Sequence, residues 1–455
     1  MRRAADTRFL ANEALALFSR LQTVRSFALG MPMVLAAAVS APAQAAINAH
    51  LARVAFDLRR RLQEFVRWVR SPDSQALTAD QAQARFVLLK LRFNNLLDQV
   101  DIFADVFSQR GEHVTGVFMA GLDALAEDAL ALPGHLYDPP PLICFVERGH
   151  GAAIRRARTR LPGGDDNPVG VIQIPRERLV GSGIASSLIH EVGHQGSELL
   201  GLTTTIRAEL DQRAAQSGPA EQVGWQLLSR WLNEILSDFW ALAHLGISAT
   251  YGLLSVVSLP SYFVFRIGTD GPHPFPWMRV RISLALGQAL FPHPQWAALA
   301  QQWQALYPTH GLAADKQQLI GLLLNLLPAF AGLVCNHRSP ALRGRRLAEL
   351  FPVAERQPAQ LQSLFQQWQA QPALRAQAAP SLAFAVVGQA KADGHLTAAE
   401  EYGQLTHLLT RWALGRARTY GGPAPVSALA RPLLSANGTS FQPLTTTTHE
   451  PRTNH

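Results

Sequence analysis

Residues 188–195 read Leu-Ile-His-Glu-Val-Gly-His-Gln, and the apolar periodicity around them predicts a helix. His190 and His194 are four positions apart, so both imidazoles lie on one helix face and can bind one metal ion. Glu191 is then placed to act as general base on a metal-activated water. Gly193 is expected to leave room beside the metal. The spacing therefore predicts a catalytic zinc site, the alternative being two solvent-facing histidines on an ordinary helix.

A catalytic zinc ion usually has three protein ligands and a water, so a third ligand is needed. The best candidates lie in residues 231–241, which read Trp-Leu-Asn-Glu-Ile-Leu-Ser-Asp-Phe-Trp-Ala. Glu234 and Asp238 are four positions apart among apolar neighbours, where carboxylates need a partner. We expect Glu234 to bind zinc and Asp238 to accept the second ring N–H of a ligating histidine. The alternative is an exposed acidic pair.

The composition of the 455-residue chain is that of a folded protein with a large core. Hydrophobic residues make up 48% of it and charged residues 16%, against about 25% charged residues in an average soluble domain. This excludes a largely disordered chain. Two cysteines, Cys144 and Cys335, exclude a disulfide-rich scaffold and a cysteine-rich zinc module. A metal must therefore be held by histidine and carboxylate.

The net charge of +8 comes almost entirely from arginine, since 41 Lys and Arg face 33 Asp and Glu and few of the cations are lysine. These cations are scattered, apart from a cluster at Arg155, Arg156, Arg158 and Arg160. Such a cluster can bind an acidic partner or the terminal carboxylate of a substrate, but more often it is a solvated face. We expect a protein or peptide substrate and no nucleic acid.

Three apolar stretches bear on localisation. Residues 27–47 resemble the apolar part of a signal peptide, but an amphipathic segment precedes them and a buried Ala-rich helix is favoured. Residues 245–265 carry no charge and are long enough to span a bilayer, but they lie between two motifs that must meet, so a buried core segment is favoured. Residues 319–334 are interrupted by Asn325 and Pro328 and predict a core helix. We expect a cytoplasmic protein rather than an exported or membrane-associated one.

A family resemblance follows from the two motifs taken together. His-Glu-x-x-His followed by a helical Asn233-Glu234-x-x-Ser237-Asp238 is similar to the zincin metallopeptidases, specifically the gluzincins of the thermolysin type. The resemblance implies a zinc ion bound by both motif histidines and Glu234. The interval from His194 to Glu234 is about twice that family's, and an insertion over residues 203–222 would account for it.

A second resemblance adds two residues to the site. Residues 270–282 read Asp-Gly-Pro-His-Pro-Phe-Pro-Trp-Met-Arg-Val-Arg-Ile. A His-Pro pair with an arginine six positions after the histidine, following a Glu-x-x-x-Asp helix, resembles the membrane CAAX-prenyl and HtpX-type proteases. The resemblance implies that His273 stabilises the tetrahedral oxyanion and that Arg279 supports the site. The alternative for His273 is a loop histidine, and the chain lacks the several clear membrane helices of that family.

A weaker signal lies at residues 390–400, Ala-Lys-Ala-Asp-Gly-His-Leu-Thr-Ala-Ala-Glu. Gly394 predicts a turn between two helices, and Thr397 with Glu400 predicts a capping box. The segment is similar to a turn of TerB-like helical domains, and its plain alternative is a structural turn.

The sequence thus predicts a mainly α fold with a small β-sheet, in which a zincin-like metallopeptidase core is flanked by helical domains. Strands are predicted over 142–146 and 169–174, and helices over about 182–200, with Ser182 as N-cap, and 220–245. The predicted domains are an amino-terminal helical domain (1–132), the metallopeptidase core (133–295), a carboxy-terminal helical domain that resembles TerB (296–418) and a disordered tail (419–455).

The functional hypothesis is a zinc metalloendopeptidase. Its rivals are a zincin-fold interaction or scaffold protein that no longer cleaves, and a basic protein associated with nucleic acid. Retention of Glu191 disfavours the silent scaffold, because a purely structural metal site needs no carboxylate there. The nucleic-acid reading predicts steeply salt-dependent binding and no metal.

Overall fold

The computed structural model describes residues 2–24, 26–111, 113–147, 152–175, 181–268 and 270–420. The fold is mainly helical with a small sheet, as the sequence predicts. The strands are β1 (Leu142–Glu147), β2 (Ala153–Arg155) and β3 (Gly170–Pro175). The described helices are α1 (Arg2–Leu21), α2 (Phe27–Gly30), α3 (Ala41–Arg70), α4 (Ala79–Ser108), α5 (His113–Leu130), α6 (Ser182–Leu199), α7 (Leu202–Gln216), α8 (Pro219–Arg230), α9 (Leu232–Leu245), α10 (Ile247–Val257), α11 (Ser261–Val264), α12 (Pro276–Leu290), α13 (Pro294–Leu306), α14 (Ala314–Asn336), α15 (Pro358–Ala370), α16 (Pro372–Arg375), α17 (Pro380–Ala392) and α18 (Ala398–Tyr420).

The sheet mixes two kinds of pairing. β1 and β3 are parallel, with Leu142 opposite Gly170, and β2 is antiparallel to β3, with Ile154 opposite Ile172. The strand order β1-β3-β2 places β2 at an edge of the described sheet. β1 and β3 match the two predicted strands to within a residue, whereas the sequence did not indicate β2.

The sheet separates two large hydrophobic cores, because successive side chains of a strand point to opposite faces. Ile143 and Val171 pack with α1, α3 and α4, while Cys144 and Ile172 pack with α5 and the later helices. α5 contributes Leu122 to this second core, although the predicted amino-terminal domain includes it. The domain boundaries stay predictions, and residues 421–455 of the expected tail lie outside the described part.

The two cores are joined by a buried ion pair. Arg110 and Asp123 form two hydrogen bonds, of 2.9 and 3.1 Å, with side chains 0% and 1% exposed. Arg110 Nη2 also donates to the carbonyl of Cys144 at 2.6 Å, and the amide of Cys144 donates to Asp123 at 2.7 Å. The pair therefore ties the end of the α4 segment to α5 and the middle of β1.

Two expectations about the apolar stretches are wrong in part. Residues 245–265 are not one buried segment, because α10 ends at Val257 and the loop that follows leaves Leu259 44% exposed. Residues 319–334 are not interrupted, since α14 continues through Pro328. One lost backbone hydrogen bond is tolerated there because Leu327 and Phe330 hold the helix in the core.

The first and the third apolar stretch also form helices. Residues 27–47 form α2, a short turn and the start of α3, where Ala43 and Ile47 are buried. In the described part of the chain, α14 is the helix that is long and apolar enough to cross a membrane, with a mean hydropathy of 1.9 and 44% of that window buried.

Candidate metal centre

The site is built on the close approach of α6 and α9. A Cβ atom on Gly193 would lie 2.8 Å from the Cα of Ser237 and from the Cβ of Trp240. At Gly196 a Cβ atom would lie 2.3 Å from the Trp240 ring. The expectation that Gly193 leaves room beside the metal is therefore wrong, because this glycine faces α9. Its lack of a side chain lets the second helix come near enough to deliver its carboxylates.

The expected helix over 220–245 is divided. This part of the chain forms two helices, α8 and α9, and Trp231 lies between them. The amides of Glu234 and Ile235 both donate to the carbonyl of Trp231, so α9 begins a new turn there. The break directs Glu234, in the first turn of α9, toward α6.

The three predicted zinc ligands lie together. Nε2 of His190 is 3.3 Å from Oε2 of Glu234, and Nε2 of His194 is 3.5 Å from Oε1 of Glu234. One ligand atom from each residue lies within 4.8 Å of the other two. Tetrahedral zinc, with bonds of about 2.0–2.1 Å, requires ligand atoms about 3.3 Å apart. The two histidine–carboxylate distances are close to this value, and the donor set is one that zinc binds.

The other ring nitrogens also have partners. Nδ1 of His190 lies 2.8 Å from Oδ1 of Asp238, the geometry expected from the sequence. Nδ1 of His194 lies 3.2 Å from the side-chain amide of Asn233. The nearer amide atom is Nδ2, which donates to Nδ1; with the amide turned over, its oxygen would accept the proton of a histidine whose Nε2 binds a metal. The sequence motif includes Asn233, but no local signal in the sequence predicts its contact with His194.

Arg279, in the first turn of α12, binds Asp238 through one edge of its guanidinium group. Nε donates to Oδ2 at 2.7 Å, and Nη2 donates to Oδ1 at 2.9 Å. Its side chain is 17% exposed and its Nη2 is 3.7 Å from Glu234. The nearest contact of Arg279 is thus the carboxylate that orients His190, so its support of the site passes through Asp238.

His273 lies at the mouth of the site. Its Nε2 is 3.4 Å from Oε2 of Glu234, while its side chain is 58% exposed. It precedes α12 and is thus held beside the ligands with one side open to solvent. The interpretation of His273 as a plain loop histidine is disfavoured by this contact.

Burial and charge set the protonation of the ligands. Burial alone would raise the pKa of Glu234, but the hydrogen bond with His190 and the nearby positive charges lower it to about 2. Burial lowers the pKa of His190, but the charge and hydrogen bond of Asp238 outweigh it and raise the pKa to about 9. Burial and the charge of His190 lower the pKa of His194 to about 4. Glu234 is therefore ionised and His194 neutral near pH 7, as metal ligands must be, whereas His190 must release a proton before its Nε2 can bind a metal.

Glu191 has a different environment. It is 8% exposed and lines the same cleft as the ligands. Burial raises its pKa, and the neighbouring charge of Glu234 acts in the same direction. A carboxylate with a raised pKa is suited to accept and return a proton near neutral pH.

The site opens into a cleft of about 450 Å³ between α6, α9, α10 and the edge strand β2. Ala153 and Ile154 line it from the sheet, and Val256 lines it from α10. Of the arginine cluster, Arg156 lines this cleft, whereas the side chains of Arg155, Arg158 and Arg160 are exposed.

The start of α6 differs from the expected cap. Gly181 is the N-cap in place of Ser182, and the amide of Ser182 donates to Oε1 of Glu401 at 2.9 Å. This carboxylate comes from α18, 219 residues further along the chain. The predicted turn before α18 is confirmed, with Gly394 at φ +78° and the amide of Thr397 donating to Glu400 at 2.8 Å.

Comparison with known proteins gave no match to a protein-family model, to a curated protein or to a solved structure.

Proposed function

We propose that this protein is a zinc metallopeptidase of the gluzincin type. The observation that carries the proposal is the convergence of His190, His194 and Glu234 at spacings suited to zinc, with a hydrogen-bonding partner at each remaining ring nitrogen. A chance pair of surface histidines would have no reason to be backed in this way.

His190, His194 and Glu234 would hold the zinc ion. When bound, zinc polarises a substrate carbonyl and lowers the pKa of a water to about 7. Asp238 keeps the proton of His190 on Nδ1, so that Nε2 faces the cleft. Asn233 would do the same for His194 with its amide turned so that the oxygen, in place of Nδ2, faces Nδ1.

The remaining residues handle protons and charge. Glu191 accepts a proton from the attacking water and passes it to the leaving amine nitrogen. His273, half exposed at the cleft mouth, donates a hydrogen bond to the oxygen of the attacked carbonyl. Arg279 acts as a positioning residue, because it holds Asp238 in its bidentate contact.

The test is cleavage of an unfolded protein substrate by the zinc-loaded full chain, with new peptide termini identified by mass spectrometry. Glu191→Gln should keep its zinc and lose roughly 10²–10⁴-fold in rate, since it removes the proton carrier and no ligand. Equal cleavage by wild type and Glu191→Gln would contradict the proposal. Bound zinc without any cleavage would favour the silent scaffold.

A further inference from the structure

We propose that Arg156 selects peptide substrates that carry a carboxylate near the scissile bond. The inference rests on the proposed peptidase function and goes beyond it by naming the substrate class. Arg156 follows the edge strand β2 and lines the same cleft as His194, Glu234 and Glu191.

Arg156 lies beside the carboxyl-terminal half of the metal-binding helix α6. Its Nη1 lies 3.2 Å from Oε2 of Glu198, which is four residues after His194 on α6. Arg279 lies beside His190, and His190 is one turn before His194 on α6. The two arginines therefore lie toward opposite ends of the ligand row, and a peptide laid across the cleft passes both.

Arg279 and Arg156 differ in how strongly their N–H donors are already engaged by other side chains. Asp238 accepts from two donors, Nε and Nη2, on one edge of Arg279, and Nη2 also lies 3.7 Å from Glu234. Among the described residues, the side chain of Arg156 has one hydrogen-bond partner, Glu198, which is itself 65% exposed, so the guanidinium can move while its backbone is held. An exposed ion pair is weak, and a guanidinium has five N–H donors in a fork that matches a carboxylate. Arg156 can therefore bind a substrate carboxylate without giving up a buried partner.

The backbone around Arg156 is held in place. Its carbonyl accepts hydrogen bonds from Thr159 Oγ1 at 2.6 Å and from Asn167 Nδ2 at 3.1 Å. The next amide, of Ala157, donates to Oε1 of Gln195 at 2.8 Å, and Gln195 adjoins His194. The base of the arginine is thus tied to the metal-binding helix, which reduces the entropy lost when it binds a ligand.

The carboxylate has two sources in a peptide, an Asp or Glu side chain or the free end of the chain. A peptide that the wild type cleaves, with both ends blocked, is resynthesised with Glu, Gln or Lys at each position next to the cut. A version with a free terminal carboxylate completes the set. We expect Glu to exceed Gln by about tenfold in kcat/KM at one position, or the free acid to exceed its amide by a similar factor.

Three variants test whether Arg156 is the cause. Arg156→Ala should abolish the preference and Arg156→Glu should reverse it toward Lys, whereas Glu198→Gln should strengthen it by removing the competing carboxylate. Arg155→Ala is the matched control, because this neighbouring arginine is exposed and, unlike Arg156, does not line the cleft of the metal ligands. It should leave the preference unchanged.

Binding supplies a readout that does not depend on turnover. The Glu and Gln peptides are titrated into the Glu191→Gln protein with Arg156 present or replaced by Ala, and affinity is measured by fluorescence anisotropy. Cleavage without a carboxylate preference, or a preference that survives Arg156→Ala, would overturn the inference alone. Absence of all cleavage would overturn the proposed function; the binding assay would then use a blocked peptide pair that differs only in one Glu or Gln, and Arg156-dependent preference for the Glu peptide would still support the carboxylate site. Absence of both would overturn both.

Discussion

Two buried arginine–aspartate pairs have the same bidentate chemistry and different surroundings. Arg110 and Asp123 are fully enclosed, and their remaining contacts are backbone groups such as the carbonyl and amide of Cys144. Arg279 and Asp238 are 17% and 11% exposed at the edge of a cleft, and Asp238 also binds the imidazole of His190. The first pair joins elements of the fold, while the second orients a side chain that is itself a candidate ligand.

The difference shows that burial of an ion pair does not by itself identify a functional site. A pair whose spare atoms bind backbone groups positions no other side chain and acts on the fold alone. A pair whose spare oxygen holds an imidazole acts on whatever that imidazole binds. Stability and metal affinity should therefore respond separately to the two aspartates.

The largest effect is expected from Asp123→Ala. This change leaves the Arg110 charge buried without its partner, which costs about 3–5 kcal/mol. The measurement is the free energy of unfolding in denaturant. Asp57→Ala is the control, because its pair with Arg61 is 40% exposed on both sides and should contribute less than about 1 kcal/mol. Similar losses in the two variants would remove the distinction between the pairs.

Asp238→Asn should act on metal affinity. Asn keeps the shape of the side chain but weakens its hold on Nδ1 of His190, and loss of such a partner typically lowers zinc affinity by about 10–100-fold. Competition with a chromophoric chelator measures it. Asp270→Asn, at a fully exposed aspartate nearby, should leave the affinity unchanged. An unaltered affinity in Asp238→Asn would mean that the second pair is structural like the first.

His244 is a buried titratable side chain that, unlike the two ion pairs, is kept neutral by its surroundings. It is 3% exposed and packs edge-on against Phe351. Burial, with the Arg356 charge, lowers its pKa from 6.5 to about 3. Because the folded pKa is depressed, its stability contribution is complete above pH 6.5 and is lost as pH falls toward 3.

From pH 7 to pH 5 the unfolded chain takes up this proton and the folded chain does not, so His244 should cost about 2 kcal/mol of stability. His244→Phe should reduce the pH dependence of the unfolding free energy by that amount. An equal loss between pH 7 and pH 5 in wild type and variant would contradict the assignment.

The smallest effect is expected at an exposed polar contact. The Thr397 hydroxyl accepts a hydrogen bond from the Glu400 amide at 3.2 Å, at the start of α18. Thr397→Ala should cost about 1 kcal/mol by removing this N-cap. Thr397→Ser keeps the hydroxyl and is the control. A loss as large as that of Asp123→Ala would show that enclosure does not govern the cost.

Local sequence patterns predicted the helix faces of the site and two of the three strands. The four-residue spacing of His190 and His194, and that of Glu234 and Asp238, predicted which side chains share a face, because helix geometry fixes it. β1 and β3 followed from short β-branched runs bounded by proline and glycine. β2 was missed because Ala153–Arg155 is too short to show alternation.

Contacts between distant parts of the chain could not be predicted. Glu401 reaches the start of α6 from 219 residues away, and no local signal marks that meeting. The burial of Arg110 and Asp123 could not be predicted either, because nothing nearby in sequence shows that two cores close over them. The sequence predicted the metal as the neighbour of Gly193, whereas its neighbour is α9. The packing of α9 against α6 is a contact between distant parts of the chain and has no local signal.

The central claim is that His190, His194 and Glu234 together hold one zinc ion. The most direct test is the zinc content of the purified full chain by mass spectrometry of the metal, beside Glu234→Ala with its helical content checked by circular dichroism. The account predicts about one zinc per chain in the wild type and nearly none in the folded variant, because removing one of three protein ligands opens the site. A wild type without zinc, or a Glu234→Ala protein that keeps a full equivalent, would contradict it.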